Sequence, residues 1–127
     1  MKSKYIWKHD TFKDVIMVYG FINSSKFYDA VLTLHRKRGG TWVHGFLSKK
    51  PLEISDFVNL FRYLRLLVKT KFTYFEVLPE HYRLYKNVLT IDSVKDVKTF
   101  DGFNAYELKL DLKKEHKNPM LKKRKIK

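Results

Sequence analysis

Four titratable side chains in the middle of the chain have the chemistry to move protons: His44, Glu76, His81 and Tyr85. His81 precedes Tyr85 by four residues, so the two side chains would share one face of a helix, and a histidine can hold or relay a proton near neutral pH. A histidine at a helix start also bonds local backbone, and a tyrosine facing a core also packs, so both interpretations stay open. Glu76 and His44 lie on predicted strands, where a solvated sheet face is the alternative.

Positive charge is concentrated at one end of the sequence. The formal net charge is +14, and positions 113–127 contribute +7 of it, because eight Lys or Arg stand there against Glu115 alone. A polybasic segment gains free energy by releasing counterions from a phosphate polymer, which makes DNA, RNA or an anionic membrane surface candidate partners. A solvated tail, or one that docks on an acidic protein, is the alternative. The candidate anion-binding residues are Lys113, Lys114, Lys117, Lys122, Lys123, Arg124, Lys125 and Lys127.

Several classes of protein are disfavoured by composition. The chain has no cysteine, which excludes disulfides and thiolate metal sites, and its five histidines lack the spacing of a metal-binding motif. We therefore expect no metal. Charge interrupts the N-terminal residues before a signal-peptide core develops, and no apolar run approaches a length of about 18 residues. We expect a protein of the host cytoplasm, or one carried inside a particle.

Hydrophobic periodicity predicts the elements that position the candidate side chains. They are a hairpin of 27–34 and 41–47 that turns at Gly39-Gly40, a helix from Ile54 to Val68, a strand over 72–78, a short helix from about Glu80 to Val88, and a hairpin of 94–100 and 103–112. Ser55 is a candidate N-cap of the longer helix. The apolar run over 15–22 suits a buried strand or a buried helix equally well. The sequence thus predicts an α+β domain over 1–112 and a separate, flexible basic tail over 113–127.

Three short motifs in this layout match a known family. Val77-Leu78-Pro79-Glu80-His81 ends a strand, Tyr85 follows it, and Leu108-Lys109-Leu110-Asp111-Leu112 ends the last strand. With these motifs the chain resembles the Gcn5-related N-acetyltransferase (GNAT) superfamily, and most of all its N-acyl amino acid synthase and autoinducer-synthase branch. The resemblance implies a mixed, mostly antiparallel sheet flanked by helices, and transfer of an acyl group from a thioester to an amine.

The resemblance also implies roles for individual residues. The return strand 41–47 would bind the pantetheine arm of the donor through backbone groups that a splayed neighbouring strand leaves unpaired. Tyr85 would protonate the thiolate leaving group, and His81, Glu76 or His44 would assist proton transfer. The donor-binding residues implied are Thr41, Val43, Gly45, Phe46, Lys49 and Lys50.

The segment before the main helix departs from the family pattern. Acetyl-CoA users carry a glycine-rich loop there, whose backbone N–H groups cradle a pyrophosphate. Here Ser48–Glu53 has no glycine and contains Pro51, which lacks a backbone N–H. Coenzyme A or an acyl-carrier-protein thioester remains the implied donor, and Lys49 and Lys50 would meet an acidic carrier.

Two non-catalytic functions compete with acyl transfer. The chain is also similar to compact GNAT-like internal virion proteins of short-tailed bacteriophages, for which a basic tail would suit a position beside packaged DNA. In that case the domain is a degenerate, catalytically silent virion or nucleic-acid-associated part. A protein-binding adaptor that uses Trp7, Phe27 and Tyr28 as surface aromatic residues is the third interpretation.

Overall fold

The computed structural model describes residues 4–22, 26–99 and 101–114 of the chain. Within these ranges it contains seven strands and two helices, which is the α+β class that the sequence predicts. In chain order the elements are β1 (Tyr5–Phe12), β2 (Val15–Ile22), β3 (Ala30–Lys37), β4 (Gly40–Ser48), α1 (Ile54–Leu67), β5 (Thr73–Val77), α2 (Pro79–Val88), β6 (Ser93–Lys98) and β7 (Asn104–Leu110).

One mixed sheet contains all seven strands, in the order β1-β2-β3-β4-β5-β7-β6. Neighbouring strands are antiparallel except β4 and β5, which run in parallel. A parallel pair needs a crossover connection, and α1 supplies it between β4 and β5. Because β4 and β5 run in the same direction, both begin at one end of the sheet and both finish at the other.

The N-terminal hairpin shows which element residues 15–22 form, and it includes a strand that the sequence did not predict. Residues 15–22 form strand β2, in which Ile16 and Val18 are buried. The unpredicted strand is β1, an edge strand in which only Tyr5 and Trp7 are buried. Charged and polar residues from Lys8 onward break its apolar alternation, so the local pattern carries no strand signal there.

The aromatic residues suggested for an adaptor surface divide into two groups. Trp7 is 7% exposed and lies in the core, so its prediction as a surface residue is wrong. Its ring covers Gly20 on β2, where an added Cβ would come within 2.6 Å of Trp7 Cζ3. Phe27 and Tyr28 are exposed, as that interpretation requires.

Both helices lie on one face of the sheet. From α1 the side chains of Phe57, Phe61 and Leu64 are buried, and from α2 those of Tyr85 and Val88. They pack against the buried side chains of the strands in a single cluster. The apolar stripe predicted for the longer helix is therefore its core-facing side.

The start of α1 differs from the prediction. The N-cap is Glu53, two residues before the predicted Ser55. The carboxylate of Asp56 accepts a hydrogen bond from the backbone N–H of Glu53 at 3.0 Å, and Asp56 is only 1% exposed. A carboxylate is favoured in this place because the first turn of a helix has unpaired N–H groups and a positive dipole end.

The second face of the sheet carries no helix among the described residues. Strand register places on it Lys8 and Asp10 of β1, Tyr19 of β2, and Trp42 and His44 of β4. Most of the inner residues of this face are half-buried by their neighbours. Across the described ranges, neither helix has the length and apolar character that a membrane crossing requires.

Candidate functional site

A cavity opens where β4 and β5 separate. The two strands share three register pairs, Thr41 with Thr73, Trp42 with Tyr74 and Val43 with Phe75. Beyond these pairs β4 continues to Ser48 and β5 to Val77 without further pairing to each other in the described residues. Backbone groups on that side of β4 consequently have no ladder partner in β5, which is the arrangement expected of a strand that binds an extended ligand.

The space between the separated strands, which we call the cleft cavity, has a volume of about 660 Å³. This is within the range of small-molecule sites. Its lining residues are Phe46, Leu47, Ser48, Lys49, Lys50, Pro51, Leu52, Phe57, Glu76, Val77, Leu78, His81, Leu84, Tyr85, Thr99 and Ala105. Apolar side chains predominate, and the polar groups lie at a few points around them.

A β-bulge in β4 shapes one wall of the cleft cavity. Thr33 of β3 is opposite His44, but Val31, two residues away, is opposite Leu47, so β4 has one extra residue in this interval. An extra residue reverses the alternation of side chains that follow it. Phe46 accordingly points to the helix side, where its ring lies 6.0 Å from the ring of Phe57.

Tyr85 is the buried titratable group of the cleft cavity. It lies on α2 with 7% of its surface exposed, and its ring contacts those of Phe57, Phe61 and Phe75 at centroid distances of 5.6 to 5.9 Å. Burial raises the pKa of the Tyr85 phenol far above its ordinary value. Its hydroxyl therefore stays protonated at neutral pH, as a proton donor must.

His81 and Glu76 border the same cavity but are exposed to solvent. His81 is in the first turn of α2, where its backbone N–H donates to the carbonyl of Leu78 at 2.9 Å. Glu76 comes from β5, one residue before the strand ends. Three of the four predicted proton-transfer residues, Tyr85, His81 and Glu76, thus lie around one cavity.

His44 lies elsewhere. It is not among the residues that line the cleft cavity, and strand register places it on the helix-free face. Its ring makes an edge contact with that of His35 at a centroid distance of 5.0 Å. Burial, together with the neighbouring charges of His35 and Lys37, lowers the pKa of His44. A role for His44 at the cavity would require a ligand that reaches across the sheet.

The predicted donor-binding residues separate in the same way. Phe46, Lys49 and Lys50 line the cleft cavity. Thr41 and Val43 are buried inside the paired segment of β4, and the Thr41 hydroxyl hydrogen-bonds to that of Thr70 at 2.8 Å. Gly45 lies between them and Phe46, at the bulge.

The sequence did not predict that residues Leu52, Leu84, Thr99 and Ala105 line the cavity. Leu52 and Leu84 enter from the segment before α1 and from α2, and Thr99 and Ala105 enter from the last hairpin. These residues have no chemical signature of their own. Leu84 is the exception, because its position one residue before Tyr85 and three after His81 indicates that it lies close to the candidate site.

The N-terminus of α1 is already filled by the protein's own negative charge. Glu53 is the N-cap residue, and the buried Asp56 carboxylate bonds the Glu53 N–H. Helix N-termini bind phosphate groups through free N–H groups and the dipole. Two carboxylates at this point repel a pyrophosphate, so the residues present do not fit the nucleotide half of coenzyme A.

The basic tail is described only at its start. Lys113 and Lys114 are exposed, and the carbonyl of Lys113 accepts a hydrogen bond from Arg65 on α1 at 3.5 Å. The remaining predicted anion-binding residues, Lys117, Lys122, Lys123, Arg124, Lys125 and Lys127, lie outside the described residues.

No protein-family model, curated protein or solved structure matches this chain. Its function is therefore inferred from the fold and from the geometry of the cleft cavity.

Proposed function

We propose that the protein is a GNAT-like N-acyltransferase that takes its acyl group from a thioester bound in the cleft cavity. The observation that carries the proposal is the separation of β4 from β5 over a cavity of about 660 Å³ that contains a protonated Tyr85. The order hairpin, helix, strand, short helix, hairpin, on which the resemblance rests, also supports it.

The reaction follows from the groups that border the cavity. The amine nitrogen of the acceptor attacks the thioester carbonyl, a C–N bond forms, and the tetrahedral intermediate collapses with cleavage of the C–S bond. Tyr85 gives its phenolic proton to the departing thiolate. In this proposal His81 and Glu76, which border the cavity, take the proton that the amine loses and return one to Tyr85, so the net products are an amide and a thiol.

Recognition of the donor would depend on its pantetheine arm. The backbone of β4 beyond Val43 is available to that arm, whereas Glu53 and Asp56 disfavour a pyrophosphate at α1. Lys49 and Lys50 are exposed beside the cavity and suit an acidic carrier protein. We therefore favour a carrier-protein thioester over acyl-coenzyme A.

The test is thioester-dependent release of free thiol by the full chain, measured with a thiol-reactive chromophore and a panel of amine acceptors. Tyr85→Phe should lower the rate by about tenfold or more, because general-acid catalysis typically contributes at least that much. Tyr82→Phe is the matched control, since Tyr82 lies on the same helix, packs on Tyr106 at 5.2 Å and does not line the cavity.

Three outcomes decide between parts of the proposal. Absence of thiol release with acyl-coenzyme A, acyl-pantetheine and acyl-carrier protein alike would reject acyl transfer. Turnover of Tyr85→Phe equal to that of the unaltered chain would remove Tyr85 from the mechanism. Preference for acyl-coenzyme A over acyl-pantetheine would contradict our inference about the donor.

Charge favours a second candidate function, association with DNA or RNA in a phage virion or a similar assembly. The +7 carried by 113–127 supports it. Replacing Lys122, Lys123, Arg124 and Lys125 by Gln in the full chain should flatten the dependence of log affinity on log salt by about 0.9 for each phosphate that is no longer neutralised. Unchanged DNA affinity and salt dependence in this variant would reject a role for the tail.

A further inference from the structure

Cations gather at the end of the sheet opposite the cleft cavity. At this end β3 and β7 finish and β4 and β5 begin, and we call it the basic end. Its cations are Lys13, Arg36, Lys37, Arg38, Lys69, Lys71, Lys109, Lys113 and Lys114. The carboxylates at this end are Asp14, Asp92 and Asp111, and Asp111 already accepts a hydrogen bond from the backbone N–H of Lys113 at 2.9 Å.

Aromatic rings lie among these cations on the helix-free face. Trp42 of β4 and Tyr74 of β5 are register partners, and their rings stack with centroids 4.2 Å apart and planes 9° apart. The Lys37 ammonium lies over the Trp42 ring at 5.4 Å. Beside them, Lys109 Nζ lies 4.3 Å and Lys71 Nζ 5.3 Å from the centroid of the Phe72 ring.

The combination of clustered cations and aromatic rings indicates which kind of partner the basic end would bind. Concentrated positive charge attracts a phosphate backbone, and base stacking on aromatic rings requires unpaired bases. A second copy of this chain is disfavoured, because each copy carries a net charge of +14. An anionic lipid surface is held by apolar side chains that protrude into it, whereas Trp42, Tyr74 and Phe72 are all half-buried within the sheet.

We propose that the basic end is a binding site for single-stranded nucleic acid. A base stacks on the indole of Trp42 and takes the place of the Lys37 ammonium, which moves to a phosphate. Lys71 and Lys109 hold neighbouring phosphates. The polybasic segment that begins at Lys113 leaves from this end, so the positive charge continues along the chain beyond it.

The site is distinct from the cleft cavity, because its aromatic rings lie on the helix-free face and the cleft cavity lies at the other end of the same strands. The experiment therefore needs a signal that originates at Trp42. The chain has two tryptophans, and the other, Trp7, is buried in the core. Tryptophan fluorescence of the full chain thus reports on this site when the signal of Trp42→Phe is subtracted.

A single-stranded oligothymidylate of about twelve nucleotides, within the site sizes of single-strand binders, is the probe. Titration at low salt should quench the fluorescence of the unaltered chain, and the quenching should disappear in Trp42→Phe. The double variant Lys37→Glu, Lys109→Glu should bind at least about tenfold more weakly, with a salt dependence shallower by about 0.7 for each phosphate left without its cation. Arg83→Glu, Lys86→Glu makes the same charge change on exposed residues of α2 and should bind within about twofold of the unaltered chain.

Circular dichroism and thermal unfolding first establish that each variant is folded. Equal affinity of the Lys37→Glu, Lys109→Glu and Arg83→Glu, Lys86→Glu variants would overturn the proposal, because binding would then depend on overall charge alone. Equal quenching by a duplex of the same length would also overturn it, since paired bases cannot stack on Trp42. A Trp42 emission shift with vesicles of phosphatidylcholine and phosphatidylserine, and no response to the oligonucleotide, would assign the surface to lipid instead.

Discussion

The two ends of the β4–β5 pair carry different surfaces on the same two strands. At the end where both strands begin, three register pairs hold them together, and Trp42 and Tyr74 stack across the pair. At the end where both finish, the strands separate and Tyr85 faces the gap. A short parallel pairing therefore creates two different surfaces, because at one end the side chains of neighbouring strands stack and at the other the strands leave a cavity between them.

The two ends also differ in their charged residues. At the basic end the ammonium groups of Lys37, Lys71 and Lys109 lie over aromatic rings. The lining of the cleft cavity includes Glu76 and His81 as well as Lys49 and Lys50, and its other residues are mostly apolar. A long polyanion suits the first surface, and a neutral thioester arm suits the second.

The largest expected effect concerns the core that both ends share. Phe61 is 1% exposed and contacts the rings of Phe75 and Tyr85. Phe61→Ala should lower the free energy of unfolding by about 3 to 5 kcal/mol, as measured in urea. Leu66→Ala on the same helix, at a side chain 73% exposed, should change it by no more than about 0.5 kcal/mol. Unfolding curves from circular dichroism and from Trp42 fluorescence should coincide, and two separate transitions would mean that the two ends are independent units.

Gly40→Ala should perturb the basic end alone. A Cβ at Gly40 would lie 2.6 Å from Tyr74 Cε2 and 3.0 Å from the carbonyl oxygen of Phe72, and the backbone atom cannot turn aside. We expect a loss of about 1 to 3 kcal/mol of stability, typical of overpacking, and altered Trp42 fluorescence.

Gly39→Asn is the control for that substitution. Gly39 has a φ of 96°, an added Cβ there would meet no atom within 4 Å, and asparagine tolerates this backbone region. The substitution should leave Trp42 fluorescence unchanged. Equal fluorescence in Gly40→Ala and the unaltered chain would show that the added methyl group is accommodated without disturbing the stack of Trp42 and Tyr74.

A smaller effect is expected from Glu53→Ser at the cavity end. Serine preserves an N-cap, so stability should change by less than about 1 kcal/mol, while one negative charge leaves the start of α1. If the proposed acyl transfer occurs, the ratio of kcat/KM for acyl-coenzyme A to that for acyl-pantetheine should rise. An unchanged ratio would mean that the Glu53 carboxylate does not determine the choice of donor.

The smallest expected effect is a pH dependence of stability that is caused by His44, on the helix-free face of the sheet. Its pKa is lowered in the folded state, chiefly by burial. As the pH falls through the ordinary histidine value of about 6.5, the unfolded chain takes up a proton before the folded one, so stability decreases. His44→Gln should reduce this decrease on acidification from about pH 7.5 to about pH 5, the interval around the ordinary histidine pKa. Equal decreases in both proteins would assign the pH dependence to other groups.

The sequence predicted those parts of the fold that local patterns determine. The 3.6-residue stripe through Phe57, Phe61 and Leu64 indicated α1, and the alternation ending at Leu112 indicated the last hairpin. The α+β class and the mostly antiparallel sheet are confirmed. Strand β1 escaped prediction because an edge strand needs few apolar residues.

Both candidate sites depended on long-range structure that no local pattern contains. The cleft cavity exists because pairing between β4 and β5 stops after Val43, and because a bulge turns Phe46 toward α1. The basic end joins Lys37, Lys71 and Lys109, which are far apart in the sequence. Motif spacing could place His81 beside Tyr85, but it could not place His44 on the other face of the sheet.

The three pairs between β4 and β5 also have a consequence for how the chain folds. Successive strands from β1 to β4 are separated by two to seven residues, so they can form from local contacts, whereas the β4–β5 pairs must close a loop of roughly 30 residues that contains α1. We expect these pairs to form late. In pulse-labelled hydrogen exchange the amides of β2 and β3 should gain protection before those of 73–75. The cleft cavity and the basic end would then form in the same folding step.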